Sequence, residues 1–318
     1  RARDPRAPAP RRLLSDADLL LGDALAIASA MSFAASNVTI ARGARPDAED
    51  NGAFVSLLLT TLIAGGAWIA MGVARGFETV TPRALLWFAG AGVLTAFVGR
   101  VFFYESVHRL GAMRSATLKR LNPFFAVVLG VAVLGERMTG GMAVGMLLLL
   151  ASFGVLMIAS PAANARVERR GSRLVRFGYA YGIVSALGYS SGYLLRKMGL
   201  AEAHDALLGA TLGCLVGALL FLATASFSAD YARAVRATFA QPNSWLIGAG
   251  VMSSLGQMLY FAALNRSPMS RVALISSMEV FVTLLLGHAF LRKSETLTPA
   301  LAAAAILGVA GTAFIVGF

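Results

Sequence analysis

Ser115-Ala116-Thr117-Leu118-Lys119-Arg120-Leu121-Asn122-Pro123-Phe124-Phe125, running through an apolar stretch to Leu134-Gly135-Glu136-Arg137-Met138-Thr139, occurs twice in this chain in related form. The second copy runs from Val272 to Thr298. It has Met278-Glu279 where the first has Leu121-Asn122, and it ends in Ser294-Glu295-Thr296-Leu297-Thr298. A shift of 157 residues superposes them. Arg109 then meets Arg266, Arg114 meets Arg271, Ala116 meets Ala273, and Phe124 meets Phe281. Gly130, Ala132 and Leu134 meet Gly287, Ala289 and Leu291; a two-residue gap then aligns Glu136 with Glu295 and Thr139 with Thr298. Further upstream, a shift of 156 pairs Gly22, Ile27, Ser29 and Ala30 with Gly178, Ile183, Ser185 and Ala186. Matches clustered at nearly one offset are an internal repeat.

Around these copies the chain divides into apolar segments. A helix needs about 20 mostly apolar residues to cross the hydrocarbon of a bilayer. Ten such segments are expected, at 22–41, 52–74, 84–108, 113–134, 139–160, 177–197, 205–227, 244–265, 270–291 and 297–317. Arg45-Pro46-Asp47, Thr81-Pro82-Arg83, Gln241-Pro242-Asn243 and Arg292-Lys293-Ser294 mark turns between them. The predicted organisation is a polar arm (1–21), a first five-helix repeat (22–160), a basic linker (161–176) and a second five-helix repeat (177–318). The arm, with Pro5, Pro8 and Pro10 among five arginines, reads as disordered or surface-lying. The chain opens on Arg1 rather than Met, which points to a truncated start.

An odd number of spans per repeat turns the second half upside down. The expected fold is therefore an all-α membrane protein of ten transmembrane helices in a 5+5 inverted repeat, an architecture frequent among secondary transporters. Composition agrees with a lipid-embedded chain. The apolar fraction is 57% and charged residues are 14%, against roughly 45–50% and 25% in soluble domains. A chain of 318 residues has too much surface to hide so many apolar side chains from water. The net charge of +12 does not imply nucleic acid. The arginines cluster at Arg1–Arg12 and Arg166–Arg176, and most others end apolar runs, where they anchor spans. Those two clusters face opposite sides with five arginines each, so charge alone does not orient the chain.

The duplicated signature resembles that of the drug/metabolite transporter superfamily, EamA type. That signature has a small-residue helix start, an acidic-or-amide–Pro pair, an apolar stretch, then Leu-Gly-Glu-Arg-Leu-Thr. The resemblance covers residues 20–318. It implies ten helices in a 5+5 inverted repeat, both termini cytoplasmic, and transport of amino acids, metabolites or drugs, with a bacterial cytoplasmic (inner) membrane as the expected location. The first copy departs from the signature by Asn122 where an acid is common, the second by Val280 where Pro is common. Lys119-Arg120 is similar to a pair in the triose-phosphate translocators of the same superfamily, though there the pair lies in the ninth helix and here in the fourth.

An ionisable side chain at membrane depth costs about 2.5–3.5 kcal/mol or more, and is a functional hypothesis by default. Arg100, Glu105, Lys119, Arg120, Glu279 and His288 qualify. Ser115, Lys119, Asn122 and Ala126 share one helix face by their 4-3-4 spacing, as do their mates Val272, Ser276, Glu279 and Thr283. Arg100 pairs with Gln257 under the same shift, and Phe103 with Tyr260. Ser32, Ser36 and Asn37 on the first span, and Tyr189 and Tyr193 on the sixth, add polar groups. The predicted substrate site is a central cavity lined by Arg100, Lys119, Asn122, Tyr189, Tyr193, Gln257, Tyr260, Ser276 and Glu279. Arg100 and Lys119 would attract a carboxylate or phosphate. Glu279 would bind a substrate amine or take up and release a proton. The plainer alternative is that Lys119 and Glu279 neutralise each other and Arg120 reaches to headgroups. Pro123 removes a backbone hydrogen bond inside the fourth span and marks a hinge or a static bend.

Other motifs carry less. Gly209, Gly213 and Gly217 allow close helix packing, within the chain or in a dimer. The chain is expected to act as a monomer or homodimer with a small-molecule substrate and the lipid bilayer as partners. Gly188-Tyr189-Ser190-Ser191-Gly192 matches a nucleophile elbow literally, but lies in a span where the strand–turn–helix context is missing. Cys214 is the only cysteine, and His108, His204 and His288 are far apart, so no metal or cofactor is expected. No lysine follows a glycine, so the chain has no phosphate loop for ATP-driven transport. The sequence reads as a secondary transporter rather than an enzyme, exporting or exchanging a small polar metabolite such as an amino acid or organic anion. A membrane-embedded lipid-modifying enzyme and a non-transporting sensor are the alternatives.

Overall fold

The computed structural model describes residues 16–43, 52–110, 115, 118–158, 172–291 and 299–317. Every regular element among them is helical. The first part has α1 (Asp16–Gly43), α2 (Ala53–Arg75), α3 (Pro82–Gly92), a π-helical segment (Val93–Gly99), α4 (Arg100–Leu110), α5 (Asn122–Leu134) and α6 (Gly140–Ile158). The second has α7 (Ser172–Glu202), α8 (Ala206–Ala225), α9 (Ala229–Ala240), α10 (Ser244–Arg266), α11 (Met269–Ser276), α12 (Glu279–Leu291) and α13 (Pro299–Gly317). By length and composition, six helical stretches are apolar enough to cross a membrane: Asp16–Gly43, Ala53–Arg75, Pro82–Val107, Ala206–Ala225, Ser244–Arg266 and Met269–Phe290. Asn122–Leu134, Gly140–Leu156 and Ala302–Gly317 are shorter apolar helices.

Thr81 and Asn243, from turns read in the sequence, work as helix caps, and so does Asp205. Thr81 accepts from Ala84 N at 3.1 Å, with Pro82 in the first turn of α3. Asp205 accepts from Leu207 N and Leu208 N at the head of α8. Asn243 accepts from Trp245 N at the head of α10. Each satisfies amides that the first helical turn leaves orphaned.

Three boundaries differ from expectation. α1 begins at Asp16, so residues 16–21 belong to a helix and not to the polar arm. Ser172–Arg176 begin α7 rather than ending the linker. The connection after α8 folds into α9, an amphipathic helix with no buried residue, because Asp230, Arg233 and Arg236 leave it too polar to insert. The rest of the linker, 161–171, and Glu295 and Thr298 fall outside the described residues.

Elements from the two parts of the chain pack pairwise: α1 on α10, α2 on α8, α5 on α11 and α6 on α13, while α7 runs along α3, the π segment and α4. Small residues permit the contact. Ala26, Ala30 and Ala34 of α1 are fully buried. A Cβ on Gly145 of α6 would lie 2.5 Å from the Gly311 carbonyl oxygen of α13, so only glycine fits. Gly209 and Gly217 likewise turn inward, against Phe261 and Leu57. The outer faces carry large apolar side chains exposed, Val73 at 76% and Ile306 at 69% among them. Lipid is the solvent such faces require.

At one end of the bundle the turn between α10 and α11 gathers charge-assisted bonds. Arg271 makes a two-pronged ion pair with Asp23 of α1, at 2.7–3.1 Å, and its Nη2 also donates to the Val316 carbonyl. Glu136 accepts from Met269 N at 2.6 Å and from Ser270 N at 2.9 Å, capping α11. Gly135, at φ 62°, ends α5 in the left-handed conformation that delivers Glu136 there. Lys197 of α7 donates to the Leu264 and Ser267 carbonyls.

The Asp23 and Arg271 side chains are 3% and 13% exposed. Removing one partner strands a buried charge, at a cost of about 3–5 kcal/mol. Asp23→Ala is therefore expected to lower unfolding free energy in detergent by about that much, and Asp23→Leu combined with Arg271→Met to recover most of it. A single variant that melts with the parent protein would show the pair to be energetically idle.

Candidate functional site

The cavity at the centre of the bundle is built on two interrupted helices. Ahead of α5, Leu118 and Lys119 are helical, Arg120 and Leu121 form a turn, and the helix resumes at Asn122. Between α11 and α12, Ser277 and Met278 form the same turn and the helix resumes at Glu279. The two turns are 157 residues apart, the repeat offset. Their hydrogen bonds match. Leu121 N donates to Leu118 O and Phe124 N to Leu121 O; Met278 N donates to Ile275 O and Phe281 N to Met278 O, all at 3.0–3.1 Å. These three-residue steps replace the usual four-residue ladder.

Proline is not the common cause. Pro123 accounts for a break in the first copy, but Val280 holds its place in the second. There the Ser276-Ser277 pair serves, with the Ser277 hydroxyl donating to Leu274 O at 2.6 Å. Serine hydroxyls compete with amides for helix carbonyls and favour such bends. Around the first break the Ser190 hydroxyl lies 2.8 Å from Asn122 O and 2.7 Å from Asn122 Oδ1. A third irregularity, the π-helical turn Val93–Gly99, faces the same space through Thr95 and Ala96 and delivers Arg100.

The cavity volume is about 590 Å³. Its lining holds the nine residues expected to line the site and the expected hinge, Arg100, Lys119, Asn122, Pro123, Tyr189, Tyr193, Gln257, Tyr260, Ser276 and Glu279. Lys119 reaches into it with its side chain accessible, the ammonium 4.7 Å from the Tyr189 ring centre and 5.3 Å from that of Phe103. Glu279 Oε1 accepts from Asn37 Nδ2 at 2.7 Å. Among the described residues no ion pair joins Glu279 to Lys119. Arg120 also lines the cavity, over the Phe153 ring at 5.6 Å, instead of reaching to headgroups.

Other residues do not join. Ser32 and Ser36 donate to the Met252 and Ala249 carbonyls, gluing α1 to α10. Glu105 pairs with Arg109 one turn along α4. Ser115 bonds Ser106, and Val272 is core. His288 is exposed on α12. The Gly188–Gly192 motif is helical, inside α7.

Arg196 is the lining residue that sequence reasoning passes over. It is 6% exposed, donates from Nη1 to Gln257 Oε1 at 3.0 Å, and lies 4.8 Å from the Phe261 ring centre and 5.3 Å from that of Tyr193. The expected span stopped at 197, which placed Arg196 at a membrane edge; α7 instead runs to Glu202. The available signal was periodicity. Tyr189, Tyr193 and Arg196 follow at steps of four and three, one helix face.

A cavity bounded by broken helices from two related halves, with charged residues lining it from both, is the architecture of a membrane carrier. The chain belongs to the EamA-like transporter family, whose pattern it matches over residues 20–159 and again over 176–317. No curated protein matches it. A solved crystal structure is similar over 94% of this chain and 96% of its own, with a TM-score of 0.65 at 20% identity. That is a likeness of fold.

The polar groups differ in what they hold. Asn37→Ala would leave the half-buried Glu279 carboxyl without its Asn37 donor and is expected to cost about 1–3 kcal/mol. The Ser276 hydroxyl is buried without a partner among the described residues, so Ser276→Ala should leave melting unchanged. Equal melting shifts for the two variants would contradict this assignment.

Proposed function

We propose that this chain is a secondary active transporter that exports or exchanges a small polar metabolite, an amino acid or organic anion, by alternating access through the central cavity. The observation that carries the reading is the pair of helix breaks at one repeat offset, each opening onto the same charged cavity. In lipid, a broken helix is tolerated where the freed backbone lines a cavity. Two such breaks, one per half, are what a carrier with one site and two exits requires.

In this reading the chain has ten spans in a 5+5 inverted repeat and lies in a bacterial cytoplasmic membrane. The pairwise packing of α2 on α8, α5 on α11 and α6 on α13 supports it, because each pair joins spans of equal rank in the two halves. So does the matched glue between first and third spans. Ser29 donates to the Gly256 carbonyl and Ser185 to that of Gly99, at 2.8 and 2.6 Å. Exchanging the conformations of two such halves exposes the site to opposite sides in turn. The Asp23–Arg271 pair and the Glu136 and Lys197 caps tie one end of the bundle, and these must part for the cavity to open there.

Lys119, Arg100, Asn122, Gln257, Tyr189, Tyr193, Tyr260 and Ser276 bind the substrate in this scheme. Glu279 accepts a substrate amine or carries the coupling proton, and Pro123 bends the helix that bears Lys119. Purified protein in liposomes loaded with radiolabelled amino acids, or with carboxylated and phosphorylated metabolites, tests it. Gradient-driven efflux of one class is expected, abolished in Lys119→Met and uncoupled from the pH gradient in Glu279→Gln. Efflux through Lys119→Met at the parent rate would remove that lysine from the site.

A further inference from the structure

The way the cavity holds its cations narrows the substrate, an inference that rests on the transport reading. Lys119 stands over the rings of Phe103 and Tyr189. Arg196 stands over those of Tyr193, Tyr260 and Phe261, and its one hydrogen-bonded partner shown is the neutral amide of Gln257. Ring faces and amide oxygens stabilise a cation without cancelling its charge, whereas a carboxylate would cancel it. Arg100 Nη1 is buried without a hydrogen-bond partner among the described residues. So is the hydroxyl of Tyr260, a residue only 3% exposed.

The one carboxylate among the described lining residues is Glu279, engaged by Asn37. Even without Arg120, three cations against one carboxylate leave an excess of two positive charges. A zwitterion, a neutral solute or a monoanion would leave this excess unbalanced in walls of low dielectric, where unbalanced charge is costly.

We propose that the substrate is a small organic dianion, a dicarboxylate or a phosphomonoester, held among Arg100, Lys119 and Arg196 with the Tyr260 hydroxyl donating to it. Three cations from different helices match two anionic groups, and the volume of about 590 Å³ admits a metabolite of that size. This selects the anionic branch of the broader reading and excludes a zwitterionic amino acid.

Calorimetric titration of the full chain in detergent tests the binding apart from transport. The probes are succinate and glycerol 3-phosphate as dianions, propionate as a monoanion, alanine as a zwitterion and choline as a cation. At least one dianion is expected to bind about tenfold or more tightly than propionate, alanine or choline. Arg100→Gln and Arg196→Gln should each weaken it about tenfold while changing propionate far less, so that the preference for charge collapses. If Arg196→Gln fails to fold, Arg100→Gln carries the comparison. Tighter binding of alanine, choline or propionate, or no dianion binding up to about 10 mM by protein that melts cooperatively, would overturn the proposal. Alanine flux in liposomes without dianion binding would sink it and leave transport standing. Dianion binding with no flux of any solute would do the reverse.

Discussion

Keeping positive charge in the middle of an apolar bundle is the constraint to which the rest of this structure answers. A lysine or arginine moved from water to hydrocarbon is costly unless something replaces its hydration. Acids could have done so, but they would have neutralised the site. The chain uses rings instead: Phe103 and Tyr189 under Lys119, and Tyr193, Tyr260 and Phe261 around Arg196. Each such contact contributes about 0.5–2 kcal/mol, more when desolvated. Several rings converging on one cation can therefore offset much of its cost. The aromatic wall is a consequence of the charge, and the irregular helices are a consequence of the wall. Room for rings and cations at the centre is made by ending α11 at Ser276, resuming at Glu279, and widening the helix between α3 and α4 into a π turn over Val93–Gly99.

The surroundings of that cavity obey the opposite rule, closeness. Buried alanines on α1, the Gly145–Gly311 contact and serine hydroxyls bonded to carbonyls of the neighbouring helix bring backbones together. Lipid offers no hydrophobic drive for helix association, so packing and interhelical hydrogen bonds must supply it. Such bonds are worth about 0.6 kcal/mol on average in membranes. Association on that scale is firm as a sum and weak at any one contact, which suits helices that must slide. The turn between α10 and α11 is the exception. There a nearly buried ion pair and two charge-assisted caps concentrate on Ser267–Arg271. One end of the bundle is thus held by a few strong contacts, and its flanks by many weak ones.

The repeat also contains deliberate differences. Ser32 and Ser36 of α1 correspond to Gly188 and Gly192 of α7. The serines bridge to α10, while the glycines bring α7 directly against the π-helical segment, where a Cβ on Gly192 would come within 2.3 Å of Thr95. Asn122 faces Glu279 across the repeat, and Arg100 faces Gln257. The two halves share a backbone plan, and they divide the chemistry: cations on α4, just ahead of α5 and on α7, and on α12 the one carboxylate among the described lining residues.

Apolar length, turn residues and the offset of 157 were legible in the sequence because they are local or periodic. They settled that the chain is helical, membrane-embedded and duplicated, and the same offset drew the polar residues of both copies toward one site. What escaped it depends on neighbours. Arg196 looked like a span-end anchor until α7 proved to continue six residues beyond it. The break before Glu279 has no proline to announce it, and arises from a serine hydroxyl competing for a helix carbonyl. A stripe of polar residues gives no sign of whether each serves the cavity, as Asn37 does, or the helix seam, as Ser36 does. Nor does a sequence say whether Lys119 meets a carboxylate or a ring. Those outcomes were decided by tertiary structure, because the partner that stabilises a buried charge comes from a distant part of the chain and is chosen by packing.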